Sequence, residues 1–163
     1  MKITERLAGD HRTFRKFLSE LDQIADQPAG QWDRNRLGRL TLLFKDHLSI
    51  HAWAEDTFYY PEVRKHLTSS SGRLTVAYMD HLDQEHRQID AALDRLENEL
   101  KNSPTSTTWP QMYALFSKGL QAHMRKEEEE LFPLSEELLG APTLEMISNA
   151  LAKLLLSDGI RPN

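Results

Sequence analysis

Two stretches of the sequence share a skeleton that suits metal binding. Residues 51–61 read HAWAEDTFYYP and residues 123–133 read HMRKEEEELFP. Each sets a His four residues before a Glu, and that Glu six residues before a Pro. On a helix, His and Glu at i and i+4 lie about 40° apart around the axis and ~6 Å apart along it. One metal ion can take both.

Two further histidines extend the pattern. Asp10-His11-Arg12 opens one half of the chain and Glu85-His86-Arg87 opens the other. Apolar residues follow at matching offsets: Phe14, Leu18 and Leu21 after His11, and Ile89, Leu93 and Leu96 after His86. The next metal-suited His comes 40 residues after His11 and 37 after His86. Each half is thus a helical hairpin offering two imidazoles and one carboxylate.

All six residues occupy positions that the apolar periodicity assigns to a core. A lone buried His is ordinarily a satisfied core residue. Four at matched depth, two with a Glu one turn on, point to ligands instead. An unpaired carboxylate in a bundle core costs several kcal/mol, against a total stability of about 5–15. Four nitrogens and two carboxylates suit two adjacent first-row transition ions, each taking two His, with both Glu bridging. These donors fill about eight of twelve octahedral positions, and a bridging oxo or hydroxo fills two more. Roughly one position per metal then stays open for dioxygen, peroxide or nitric oxide.

Four long helical patterns position these groups. The first runs from about Thr4 to Asp26, with Leu7, Phe14, Leu18, Leu21 and Ala25 in its stripe. Asp33 suits an N-cap for the second, with Trp32 and Leu37 stapling its start and Leu37, Phe44, Leu48 and Phe58 in the stripe. The loop TSSSG precedes the third, which carries Met79, Leu82, Ile89, Leu93, Leu96 and Leu100. The loop NSPTST leads to a capping-box pattern over Thr108-Trp-Pro-Gln111. Met112, Phe116, Leu120, Leu131, Leu134 and Leu138 stripe the fourth. Short connections between long helices predict an all-α, up-down-up-down four-helix bundle with a short C-terminal helix. We expect one domain over residues 1–163, with its core at 5–138. The accessory helix, at about 142–157, packs across a bundle end through Leu144, Ile147, Leu151, Leu154 and Leu155.

Composition narrows the function further. With 163 residues, 39% of them hydrophobic and 28% charged, the chain suits a globular domain. A net charge of −5 argues against binding nucleic acid through its phosphates. The sequence has no cysteine, which excludes disulfides, iron–sulfur clusters and thiolate chemistry. MKITERLAGD has no apolar signal core, and no apolar run nears the roughly 20 residues of a membrane span. A cytoplasmic monomer or homodimer is expected.

Other polar residues are read as bystanders. His81 points about 140° away from His86 around the helix and flanks the seam, a surface group with an extra metal ligand as the alternative. His47 sits at the seam edge, suited either to simple exposure or to holding a ligand. His66 should be solvated. Asp10 and Glu85 diverge ~100° from the histidines that follow them, so they are expected to hold Arg12 and Arg87 on the surface. Glu128 and Glu129 should face water. Tyr59 and Tyr60 are expected to pack in the core or at its rim, with a phenol lent to the open site as the alternative.

At the six residues the sequence resembles the hemerythrin-like, HHE cation-binding family. That family's pattern is His on helix 1, HxxxE on helix 2, His on helix 3 and HxxxE on helix 4. The resemblance covers about residues 5–138, including the YYP and LFP endings. It implies a non-haem di-iron centre with His11, His51, Glu55, His86, His123 and Glu127 as ligands. Nitrogen and oxygen donors alone also accept zinc, manganese or copper. Respiratory hemerythrins carry a fifth His in HxxxH on helix 3 and end the helix 4 motif in Asp. Here Asp90 stands four residues after His86, and Glu127 ends the motif. The resemblance therefore implies the bacterial subgroup linked to sensing, iron handling or the chemistry of peroxide and nitric oxide. Alternatives are an enzyme that degrades hydrogen peroxide or reduces nitric oxide, and a regulatory bundle with a structural metal. A ferritin-like carboxylate site would need Glu-x-x-His, which the sequence lacks.

Overall fold

A computed structural model describes residues 1–69, 71–103 and 107–157. Ser70 and residues 104–106 of the two expected loops, and residues 158–163 of the expected domain, lie outside them. Among the described residues all regular structure is helical: α1 (Ile3–Ala25), α2 (Arg34–Ala54), α3 (Tyr60–His66), α4 (Val76–Asn102), α5 (Trp109–Lys126) and α6 (Phe132–Ser157). A wide π turn at Glu55–Tyr59 joins α2 to α3, and another at Glu127–Leu131 joins α5 to α6. Four long rods result. They pack in a ring in which α1 meets α2, α2 meets α4, α4 meets α5, and α5 and α6 return to α1. This is the expected all-α four-helix bundle.

The wide turns have a cause in the sequence. A proline inside a helix lacks an N–H and crowds the carbonyl four residues back. Pro61 and Pro133 both sit just beyond a π turn. The preceding residue in each case, Tyr60 or Phe132, bonds back five residues, to the carbonyl of Glu55 or Glu127. Widening that turn lets the helix continue past the proline. The repeated Glu-x5-Pro spacing is therefore structural, and both turns begin at the glutamates of the skeleton.

Of the two helix starts expected to be capped, one forms its cap and the other does not. The Asp33 carboxylate accepts from the Arg36 N–H at 2.9 Å, capping α2. Trp32 and Leu37 are both buried beside it. The capping box expected at Thr108–Gln111 does not form. Thr108 has helical dihedrals, and its hydroxyl donates to Glu99 Oε1 at 3.0 Å on the preceding helix. A helical N-cap cannot turn its side chain onto the first-turn donors.

The apolar core divides in two. One cluster gathers Phe14, Leu18, Phe44, Leu93, Phe116 and Leu120 with Trp32 and Trp109 toward one end. The other gathers Leu7, Tyr59, Met79, Leu82, Leu131 and Leu144 toward the opposite end. Ile147 and Leu151 of α6 belong to this second cluster, so the last helical segment covers that end of the bundle. It reaches there because α6 breaks at Gly140, with φ 72° and ψ 159°, before Pro142.

That conformation is open essentially to glycine alone. Gly140→Ala is expected to lower stability by about 1–3 kcal/mol. Gly38→Ala, inside α2 with open space around its Cα, should raise it by about 0.5–1 kcal/mol. Denaturant titration of both variants checks the pair. A loss in both, or a gain in both, would contradict a glycine-specific break.

Candidate metal centre

The six residues form a polar layer between the two apolar clusters. His11 follows Leu7 of one cluster and precedes Phe14 of the other, and His86 is bracketed likewise by Leu82 and Ile89. All six are buried: Glu55, Glu127 and His11 are 0% exposed, and His86, the most open, is 8%.

The atoms converge. Glu55 Oε2 lies 3.2 Å from both His51 Nε2 and His86 Nε2. Glu127 Oε2 lies 3.2 Å from His11 Nε2 and 3.5 Å from His123 Nε2. His11 Nε2 and His51 Nε2 are 3.2 Å apart. Two groups result, His11–His51–Glu55–Glu127 and Glu55–His86–His123–Glu127, each with its donor atoms all within 4.8 Å of one another. Both glutamates belong to both groups.

These donors are left wanting a cation. Both oxygens of Glu55, Glu127 Oε2 and His123 Nε2 are buried without a hydrogen-bond partner. The imidazole nitrogens lie close to the carboxylates but are not aligned to donate to them. Buried polar groups are otherwise nearly always satisfied. Imidazole nitrogen and carboxylate oxygen suit a first-row transition ion, so the donor set fits a metal.

The outward nitrogens are held in a matching pattern. His11 Nδ1 pairs with Glu128 at 2.9 Å, His51 Nδ1 with Asp10 at 3.3 Å, His86 Nδ1 with Asp56 at 2.8 Å and His123 Nδ1 with Glu85 at 2.9 Å. A carboxylate there favours the proton on Nδ1, so a ring that gives up its second proton to a metal offers its Nε2 lone pair inward. Arg15 holds Glu128 through two hydrogen bonds, of 2.9 and 2.7 Å, and Lys126 holds Glu85.

Three expectations are corrected here. Asp10 and Glu85 face His51 and His123, not Arg12 and Arg87. Glu128 is part-buried against His11 rather than solvated. The helical angle does keep each acid off its neighbouring His, but it aims that acid at the next helix's ligand. The signal was in the repeat: an acid precedes His11 and His86, and another follows Glu55 and Glu127. Tyr60 also does more than pack. Its hydroxyl donates to Glu127 Oε1 at 2.5 Å and lies 3.3 Å from His86 Nε2. The π turn sets Tyr60 one wide turn after Glu55 on the same face. Tyr59 packs in the core, its hydroxyl 2.5 Å from Ser135 Oγ.

The bystander histidines stay outside the layer. His81 is exposed beside Glu85 and Lys126. His47 bonds the Leu43 carbonyl of its own helix at 2.9 Å, and His66 is exposed next to Glu62. Glu129 is exposed as expected.

Charge in the layer is balanced by protons when no metal is bound. Burial pushes the His51 imidazolium down, but the Glu55 charge and the Asp10 bond outweigh it and raise it to about 10. Burial acts likewise on His86, where the Asp56 bond and the nearby Glu55 carboxylate raise it to about 11. Burial would lift Glu55, yet His51 and His86 hold it well below the usual carboxylate range. Glu85 resists burial in the same way, held at about 2 by His123 and Lys126. Burial and the charges of Glu127 and Glu55 push Tyr60 far up, so its phenol stays a donor.

The Hemerythrin HHE cation binding domain matches this sequence over residues 2–135. The chain belongs to the hemerythrin HHE cation-binding family. This hemerythrin-like domain is therefore a metal-cation-binding one, and the buried His/Glu groups are where a cation fits. Its fold is similar to the crystal structure of a hemerythrin HHE cation binding domain-containing protein from Mycobacterium kansasii. The TM-score is 0.69 at 21% identity, covering 98% of this chain and 95% of that one. No curated protein matches it significantly. Among the described residues no helix of the domain is long and apolar enough to cross a membrane.

The raised histidines set a pH dependence. Their contribution to metal-free stability is full below the ordinary imidazole value of about 6.5 and is lost as pH rises through their folded values. Chelated protein is therefore expected to melt several degrees lower at about pH 9.5 than at about pH 6.5, with roughly 2–4 °C for each kcal/mol lost. Metal affinity should run the other way, because binding strips those protons. Thermal melts of chelated protein at the two pH values check the first claim. A higher melt at the alkaline pH would contradict it.

Proposed function

We propose that this domain is a di-iron protein that binds dioxygen, peroxide or nitric oxide in sensing, iron handling or protection against oxidative and nitrosative stress. The observation that carries this reading is the pair of His/Glu groups sharing Glu55 and Glu127. A mononuclear site has no use for two buried carboxylates with imidazoles on both sides of each. His11 and His51 would hold one ion, His86 and His123 the other, with the two glutamates between. Bound iron would supply reversible coordination of a small ligand and one-electron chemistry.

The chain's own groups tune that site. Two carboxylates offset part of the four or more positive charges brought into a dry layer. Asp10, Asp56, Glu85 and Glu128 orient the four rings and make them better donors. Tyr60 favours the second reading, an enzyme consuming peroxide or nitric oxide, because reduction of either ligand takes up protons. Its phenol is a buried O–H beside both Glu127 and His86. Oxygen evolution from added peroxide would favour that enzyme over a carrier or sensor.

Iron content separates these residues from the acidic surface. Wild-type protein is expected to hold about two irons per chain, with charge-transfer absorption after aerobic loading. Glu55→Gln and Glu127→Gln keep size but lose charge, so each should lose about one iron or more. Asp10→Asn should weaken binding by roughly 10–100-fold, and Glu129→Gln should leave it unchanged. Metal analysis after controlled dialysis reads all four variants. Equal loss across the acidic run at 127–130 would mean diffuse cation binding and would overturn the dinuclear reading.

A further inference from the structure

A cavity of about 300 Å³ lies between α2 and α4 and leads to the polar layer. The buried rings of His51, His86 and His123 belong to its lining. Leu48, Ile89, Leu93, Leu120 and Met124 form its walls, all buried. Its charged lining residues, Asp56, Arg87 and Asp90, are exposed and stand at the rim.

Dioxygen, nitric oxide and hydrogen peroxide need little more room than one or two waters. This cavity offers roughly ten waters' worth of volume, the lower end of the range for organic ligands. Its walls give ordered water few partners, and of its charged lining residues Asp56 is already engaged by His86 Nδ1 at 2.8 Å. Such a shape fits an uncharged hydrocarbon body with one polar end directed at imidazoles. Half-buried Trp53 adds an aromatic face. Among oxygen-class ligands, only an organic hydroperoxide carries such a body.

We propose that the α2–α4 cavity seats a neutral organic hydroperoxide. Its hydrocarbon group lies against Leu48, Ile89 and Leu93, and its peroxide end points toward His51, His86 and His123. This rests on the metal-centre reading above, and it names the ligand class of that same site. Hydrogen peroxide would use the same path without filling it.

Iron-loaded full-length protein and cumyl alcohol, an unreactive relative of an aromatic hydroperoxide, test the idea by ligand-observed NMR. Ala52→Phe on α2 and Ile89→Phe on α4 each push a ring into the cavity from a different wall. Wild-type protein should bind the alcohol, and each variant should bind it at least about tenfold more weakly. Iron content should hold, and azide affinity, read from its charge-transfer band, should change less than about threefold. Ala52 is only half-buried, so its variant carries the test if Ile89→Phe fails to fold. No alcohol binding by iron-replete wild type, or undiminished binding by Ala52→Phe, would overturn the hydroperoxide seat while leaving the metal centre intact. Failure of wild type to take up iron would overturn the metal centre itself, and the seat with it even if the alcohol bound.

Discussion

Two carboxylates and four imidazoles buried in one layer set the terms for the rest of this bundle. Glu55 and Glu127 have no solvent exposure, and three of their four oxygens find no hydrogen-bond donor. Breaking a buried ion pair costs about 3–5 kcal/mol, so a domain of ordinary stability cannot leave two such carboxylates uncompensated. Protons on His51 and His86 meet part of that need, and metal cations meet it better. The apolar core accordingly stands as two clusters, one on each side of the layer.

The remaining elements hold that layer in register. Each hairpin contributes one His from its first helix and a His/Glu pair from its second. An acid adjacent in sequence to one ligand orients a His on another helix, in both halves. Among the described residues, two of these acids are also clamped by a cation, Glu128 by Arg15 and Glu85 by Lys126. Asp10 and Asp56 remain about half exposed. By the proposed assignment each ion has one His backed by a clamped acid and one backed by an open acid. The π turns extend this logic, since each begins at a layer glutamate and carries the chain past a proline without ending the rod.

Much of this was legible in the sequence, for identifiable reasons. Helical periodicity with a fixed polar gap marked both the four rods and the depth of the layer, because burial of His and Glu at core positions needs a special cause. The doubled His-x3-Glu skeleton brought the six residues to notice, and the structure brings them together. What stayed hidden depends on neighbours across helices. Nothing local to Asp10 or Glu85 says which ring they meet, because that depends on how the rods rotate against each other. The turn at Glu55–Tyr59 depends on Pro61, and without that turn Tyr60 reads as ordinary packing. Thr108 failed as a cap for a similar reason: Glu99, nine residues away, competes for its hydroxyl.

The central claim is that the layer is two metal sites sharing two carboxylates. Anomalous diffraction at the iron edge from crystals of iron-loaded protein tests it directly. The account predicts two peaks, one beside His11 and His51 and one beside His86 and His123, with Glu55 and Glu127 between them. A single peak, or peaks confined to the exposed acids of α5 and α6, would contradict it.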